Sequence, residues 1–126
     1  SAIAAPALAG IPVTHRSLTQ GFTVVSGHVR PSDPRSTLDW SALAQLNTTL
    51  VILMGTTHLP ELTAALIAGG KGAEVPAAIV ERAGTPGMRV LRSTVGDIAD
   101  AAREHAVRPP SIVVIGDVAG LDLTVA

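Results

Sequence analysis

Leu50-Val51-Ile52-Leu53-Met54-Gly55 is a continuous apolar run closed by glycine. Because it lacks polar alternation, it reads as a strand buried on both faces. Thr57 then opens a segment whose apolar residues at 59, 62, 66 and 67 share one helical face, and Gly69-Gly70 stops it. Ala77 to Val80, extended to Arg82, is the next strand, ended by Gly84. Residues 50–82 thus form a strand–helix–strand unit, which predicts parallel strands joined by a right-handed crossover.

Upstream, Phe22 to Ser26 (FTVVS) is β-branched and aromatic and predicts a strand. Residues 27–39 hold Pro31, Pro34 and alternating charges, as a surface loop does. Asp39 is placed to cap a short helix running through Trp40, Leu43 and Leu46. Residues 1–9 read as a short helix capped by Ser1 and closed by Gly10, with Pro6 opposing a longer one. Downstream, Thr85-Pro86-Gly87 is a tight turn, and Met88 to Thr94 alternates apolar residues with Arg89 and Arg92, the pattern of a half-exposed antiparallel partner. A helix is expected over 96–106, with Ile98, Ala101, Ala102 and His105 or Ala106 on one face. Pro109-Pro110 breaks the chain before a last buried strand, Ser111 to Ile115, ended by Gly116. The expected fold class is α/β: a mixed, mostly parallel five-stranded sheet with helices on both faces.

Composition narrows the functional field. The chain has 126 residues, enough for one domain, and is 47% apolar but only 2% aromatic, with Phe22, Trp40 and no tyrosine. Its core must be aliphatic. A net charge of −1 argues against nucleic acid or an anionic membrane as partner, and no apolar run approaches the roughly 18 residues of a membrane span. The absence of cysteine excludes disulfides, thiolate metal sites and cysteine nucleophiles. The apolar start at Ser1-Ala2-Ile3 has no basic leader before Arg16, so it does not read as a signal peptide; the expectation is a piece of a longer chain.

Three buried strands end alike, at Met54-Gly55, Ala83-Gly84 and Ile115-Gly116, and together they suggest the floor of an uncharged pocket. Arginine outnumbers lysine eight to one, and Arg16, Arg30 and Arg35 face only Asp33 in the first 38 residues. That basic edge suits an acidic ligand, because the guanidinium fork matches carboxylates. His15, His28, His58 and His105 lie too far apart for a metal set, so no metal site is expected; only His15 and His28 are site candidates. Gly69-Gly70-Lys71-Gly72 follows a helix and lacks the phosphate-loop frame. No Gly-x-Ser-x-Gly elbow occurs.

The string Gly10-Ile11-Pro12-Val13-Thr14-His15-Arg16 is specific. It is followed by Gln20-Gly21-Phe22-Thr23-Val24-Val25, Gly27-His28, Asp39-Trp40, the run 50–55, His58-Leu59-Pro60 and Thr85-Pro86-Gly87. Together these resemble the C-terminal half of the uroporphyrinogen-III C-methyltransferases, within the tetrapyrrole methylase superfamily, over essentially the whole chain. The resemblance implies that residues 1–126 are the second of two α/β domains, with S-adenosyl-L-methionine held between them and the first domain absent from this chain. Carried over, Ser1 and Ala2 match the end of a cofactor-contacting Thr-Ser/Ala segment, Met54 a strand-end methionine against the cofactor, and Ala83 a small residue in the adenosine pocket. Gly116 is a weaker match, kept as a possible wall of that pocket. Thr14, His15 and Arg16 match a Thr-His-Arg motif near the tetrapyrrole, whose eight carboxylates an arginine fork could meet.

No catalytic residue is carried over to this chain. The implied activity is methylation of uroporphyrinogen III to precorrin-2 through precorrin-1, for sirohaem or cobalamin, by a cytoplasmic homodimer. The lone domain is expected to fold but be inactive. Two alternatives stay open: a later precorrin methyltransferase, and a non-catalytic ligand-binding or dimerisation module.

Overall fold

The computed structural model describes residues 2–123. Its elements, in chain order, are α1 (Ala4–Leu8), β1 (Phe22–Ser26), α2 (Trp40–Gln45), β2 (Thr49–Leu53), α3 (Leu59–Ala68), β3 (Pro76–Glu81), β4 (Arg89–Thr94), α4 (Ile98–Glu104) and β5 (Ser111–Ile115), followed by a short 3-10 turn at Asp117–Gly120. The strands form one five-stranded sheet in the order β1-β2-β5-β3-β4. Helices cover both faces, as expected.

The mixed sheet agrees with the reading of the sequence, but its parallel majority does not. Only β1 and β2 pair in parallel, Phe22 opposite Thr49 through Ser26 opposite Leu53. The β2–β5, β5–β3 and β3–β4 pairs are all antiparallel. β2 and β3 do point the same way, yet β5 lies between them, with Val114 opposite both Val51 and Ala78. The reason is that a fully apolar strand fits a parallel or an antiparallel slot equally well, because both of its faces are covered in either case.

On the first face, α2, α3 and α4 pack Trp40, Leu59, Leu62, Leu66 and Ile98 against Val25, Leu50, Ile52, Ile79, Val113 and Ile115. Asp39 caps α2 as read, its Oδ1 accepting the Ala42 N–H at 3.0 Å. Ile67, assigned to the apolar face of α3, is instead 40% exposed, since its angular position carries it past the stripe of Leu59, Leu62 and Leu66. His105 and Ala106, offered for the inner face of α4, are exposed beyond its last turn.

On the second face, α1 and residues 9–11 lay Ala5, Ala9 and Ile11 on Ala78, Val80 and Val114, and the 3-10 turn adds Val118 and Ala119. Arg92 ties this layer down, donating from Nη2 to the carbonyls of Ala9 at 2.8 Å and Leu121 at 3.2 Å. The expected Ser1 cap lies outside the described residues; α1 starts after Ile3, which makes no side-chain cap. Pro6 sits in its first turn, where a missing N–H leaves no helical bond unmade.

At the exits of β1 and β2 the chain packs so closely that only glycine fits. A Cβ on Gly27 would lie 2.8 Å from the Gly55 backbone and 2.8 Å from Leu62 Cδ1.

Candidate functional site

An open cleft of about 750 Å3 lies on the second face, at the exits of β2 and β3 and the entry of β5. Its floor is Leu53, Val80 and Ile112, one from each of the three central strands, with Ala5 of α1 alongside. These residues share a face because the strands are in register: Leu53 opposes Ile112, and Ile112 opposes Val80. Met54, Arg82 and Ala83 form one rim, and Pro109, Pro110 and Ser111 form another wall.

Backbone geometry explains why side chains project there. Met54 (φ 55°) and Arg82 (φ 50°) both sit in the left-handed region, each one residue beyond its strand. A side chain rarely adopts that region, and doing so turns the chain sharply off the sheet. Met54 is left 61% exposed over the cleft. Arg82 is fixed by a compact turn in which Thr85 Oγ1 donates to the Arg82 carbonyl at 2.8 Å. The Arg82 N–H donates to the Pro110 carbonyl at 2.9 Å, joining the rim to the opposite wall.

One buried charge organises this region from below. Glu81, 1% exposed, accepts from Arg89 Nε at 3.0 Å and Nη2 at 3.4 Å, and from the Arg108 N–H at 2.6 Å. Its carboxyl is held below the ordinary range, chiefly by the Arg108 N–H and then by Arg89 and Arg82, while burial pushes the other way. Glu81 therefore anchors the start of the Arg108-Pro109-Pro110 wall. Away from the cleft, Arg35 holds Asp33 down to about 2 in the exposed loop before α2.

Met54 and Ala83 thus meet in one cleft, as the sequence suggested. Ser1 lies outside the described residues, and Ala2 leads into α1 without lining the cleft itself. Gly116 is a correction. Because β5 runs antiparallel, its final glycine lies at the opposite end of the sheet, where Gly116 N–H donates to the Pro76 carbonyl at 3.0 Å. It lines a separate hollow of about 330 Å3 with Thr49, Lys71 and Asp117, in which burial pulls the Lys71 ammonium down. With φ 140° and Thr49 Cα 3.5 Å from where a Cβ would stand, Gly116 is needed for the backbone turn there, not for the cleft.

Thr14, His15 and Arg16, expected near the tetrapyrrole and not in the cofactor pocket, do not line this cleft. His15 and Thr19 exchange backbone hydrogen bonds, both 2.9 Å, and Thr19 Oγ1 donates to the Asn47 and Gly21 carbonyls. Arg16 lines a shallow hollow together with Asn47 and Thr48. This turn sits at the entries of β1 and β2, a full strand or roughly 13 Å from their exits. The two strands are parallel, so their entries share one end and their exits the other. His28 follows the exit of β1, and its N–H donates to Ser26 Oγ at 3.3 Å.

The residues missed were Arg82, Ala5 and the 109–112 segment. Arg82 carried a faint signal, a charge wedged between a strand and Ala83-Gly84. The others carried none, because the direction of β5 places them. Among the described residues, no group of histidine and acidic side chains could hold a metal ion, and no helix is long and apolar enough to cross a membrane.

The family model Tetrapyrrole (Corrin/Porphyrin) Methylases matches residues 1–99. The chain belongs to that family. This tetrapyrrole methylase chain is 45% identical over 121 residues to the S-adenosyl-L-methionine-dependent uroporphyrinogen III methyltransferase of Methanosarcina barkeri, covering 96% of this chain and 48% of the other. It is 42% identical over 113 residues to a siroheme synthase of Nitrosomonas europaea, covering 90% of this chain and 23% of that one. Among solved structures it is similar to the uroporphyrin-III C-methyl transferase of Thermus thermophilus complexed with S-adenyl homocysteine, with a TM-score of 0.73 at 32% identity, covering 90% of this chain and 48% of that one. Cobalt precorrin-4 methyltransferase shares the fold, with a TM-score of 0.81 at 23% identity over 92% of this chain and 48% of that one. The tetrapyrrole methylase chain spans about half the length of the uroporphyrinogen III methyltransferases it matches.

Proposed function

We propose that this chain is one domain of an S-adenosyl-L-methionine-dependent C-methyltransferase acting on uroporphyrinogen III. The observation that carries the reading is the cleft at the exits of β2 and β3, where Met54 and Ala83 frame an aliphatic floor. Two relatives named for that activity, at 45% and 43% identity, support it.

The residues present fit the adenosyl group. About 750 Å3 lies within the 300–1,000 Å3 span of small-ligand pockets. Leu53, Val80 and Ile112 offer a flat apolar bed, Ala83 leaves room above it, and the exposed Met54 side chain can cover a planar ring. The bound donor supplies an electrophilic methyl on a sulfonium. The chain's own part is to hold and orient: the aliphatic floor excludes water, and the turns at Met54 and Arg82 fix the rim. Orienting donor and acceptor is worth roughly 7–11 kcal/mol in favourable cases. No side chain of this chain is assigned proton transfer.

The same proposal holds that the remaining part of the site comes from a preceding domain of a cytoplasmic homodimer, with precorrin-2 formed through precorrin-1 for sirohaem or cobalamin. The half-length match to the relatives supports a second domain. The test is transfer of labelled methyl to uroporphyrinogen III by the full-length protein, with precorrin intermediates as competitors. Transfer is expected from the full-length protein and none from residues 1–126 alone. Turnover by the short chain would overturn the two-domain reading, and preference for a later precorrin would overturn the substrate.

A further inference from the structure

We propose that Arg82 is a carboxylate-recognition residue of the cleft, a specificity determinant resting on the methyltransferase reading above. Arg82 is the one charged side chain among the described residues that line the cleft. Everything else there is aliphatic, proline, a small residue or a hydroxyl. With 56% of its side chain exposed the charge stays hydrated at little cost, and it is the one charge that a ligand on this apolar floor would meet.

The ion pair of Arg82 with the neighbouring Glu81 is a loose one. Glu81 Oε1 lies 3.7 Å from Arg82 Nη2, beyond hydrogen-bond reach, and both its oxygens are already taken by Arg89 and the Arg108 N–H. Arg89 balances the charge of Glu81, so Arg82 leaves the rim with a net positive charge. The fork is also placed in advance. Its Nη1, Cζ and Nε atoms lie 3.4, 3.6 and 3.7 Å from where a Cβ on Gly87 would stand, so it rests against that glycine. Its backbone is held at φ 50° by the Thr85 and Pro110 bonds. Its side chain remains 56% exposed and open to a ligand. A planar, pre-positioned fork with free donors matches a carboxylate by two parallel hydrogen bonds.

Two ligands could bring that carboxylate: the polyanionic tetrapyrrole, or the amino-acid end of the methyl donor. The arms of the test separate them. Full-length protein and its R82A and R82K variants are titrated with uroporphyrin III, with S-adenosylhomocysteine, and with methylthioadenosine, which lacks the amino-acid carboxylate. R82N is the second charge-deleting variant, since asparagine tolerates a positive φ where alanine strains. Thermal unfolding checks that each variant is folded.

The expected result is a loss of about tenfold or more in affinity for one carboxylate-bearing ligand in R82A and R82N, with R82K intermediate and methylthioadenosine unaffected. A loss confined to uroporphyrin III assigns the fork to the tetrapyrrole; a loss confined to S-adenosylhomocysteine assigns it to the donor. Unchanged affinity for both overturns the proposal while leaving the methyltransferase reading intact. Equal weakening of methylthioadenosine also overturns it, since the role would then be structural. If the unaltered protein binds none of the three, the methyltransferase reading falls and the assignment of Arg82 falls with it.

Discussion

Replacing Glu81 by glutamine tests the charge that organises the cleft wall. The carboxylate accepts three hydrogen bonds, from Arg89 Nε at 3.0 Å and Nη2 at 3.4 Å and from the Arg108 N–H at 2.6 Å, at a position 1% exposed. Glutamine keeps the shape but offers one acceptor oxygen, so its amide must face a donor with a donor. Arg89 is 41% exposed and can turn to water, which limits the damage to about one set of charge-assisted bonds, roughly 1.5–3 kcal/mol. For a domain of this size that corresponds to a fall in Tm of about 5–15 °C.

The sign of the pH dependence follows from the direction of the Glu81 shift. Its folded pKa lies below the unfolded value, near ~4.3 for glutamate. The stability it contributes is therefore present above that value and is lost as pH falls through the folded one. Wild type and Glu81→Gln should differ at pH 7 and converge as pH falls through the folded value. Urea unfolding followed by circular dichroism across that range measures the gap, and amide exchange at Arg108 reports local loosening. A variant within about 0.5 kcal/mol of wild type at pH 7, with a constant offset on acidification, would show that Glu81 does not anchor the wall.

Three further outcomes are expected. Asp39→Ala removes the cap on α2 and should cost about 1 kcal/mol in urea unfolding. Gly27→Ala drives a methyl into the Gly55 backbone, Leu62 and Ile52, and should destabilise by roughly 1–3 kcal/mol or abolish folding. Met54→Gly relieves a φ of 55° and removes a 61%-exposed apolar side chain, so stability should hold or rise by up to about 1 kcal/mol. In the full-length protein the same change should weaken S-adenosylhomocysteine binding measurably by calorimetry; unchanged affinity would remove Met54 from the site.

How much was legible differs between elements and site. The strands at 22–26 and 111–115 have the limits their composition indicated, because β-branched runs bounded by proline and glycine admit little else. The Asp39 cap and the 85–87 turn were equally local, the turn closing with the Met88 N–H on the Thr85 carbonyl at 3.0 Å. The helices are shorter than read, α3 starting at Leu59 and α4 ending at Glu104, since end residues satisfy their backbone in more than one way. Of the site, Met54 and Ala83 were found because glycine after a buried strand is a local signal. Glu81 was missed as an anchor because its partners, Arg89 and Arg108, are brought to it by the pairing of β4 and by the loop before β5.

Local pattern was enough to place the strands and helices, to make the core aliphatic and to mark the two rim residues that follow β2 and β3. The place and direction of β5 came from long-range packing. Slotted antiparallel between β2 and β3, it carries Gly116 to the far end of the sheet and brings Pro109, Pro110 and Ser111 into the cleft. The turn bearing Thr14, His15 and Arg16 is set at that same far end by the parallel pairing of β1 and β2. Hydrophobic pattern is a property of single residues and their near neighbours. Strand order and polarity are set by which distant segments meet, and a run buried on both faces carries no mark of either.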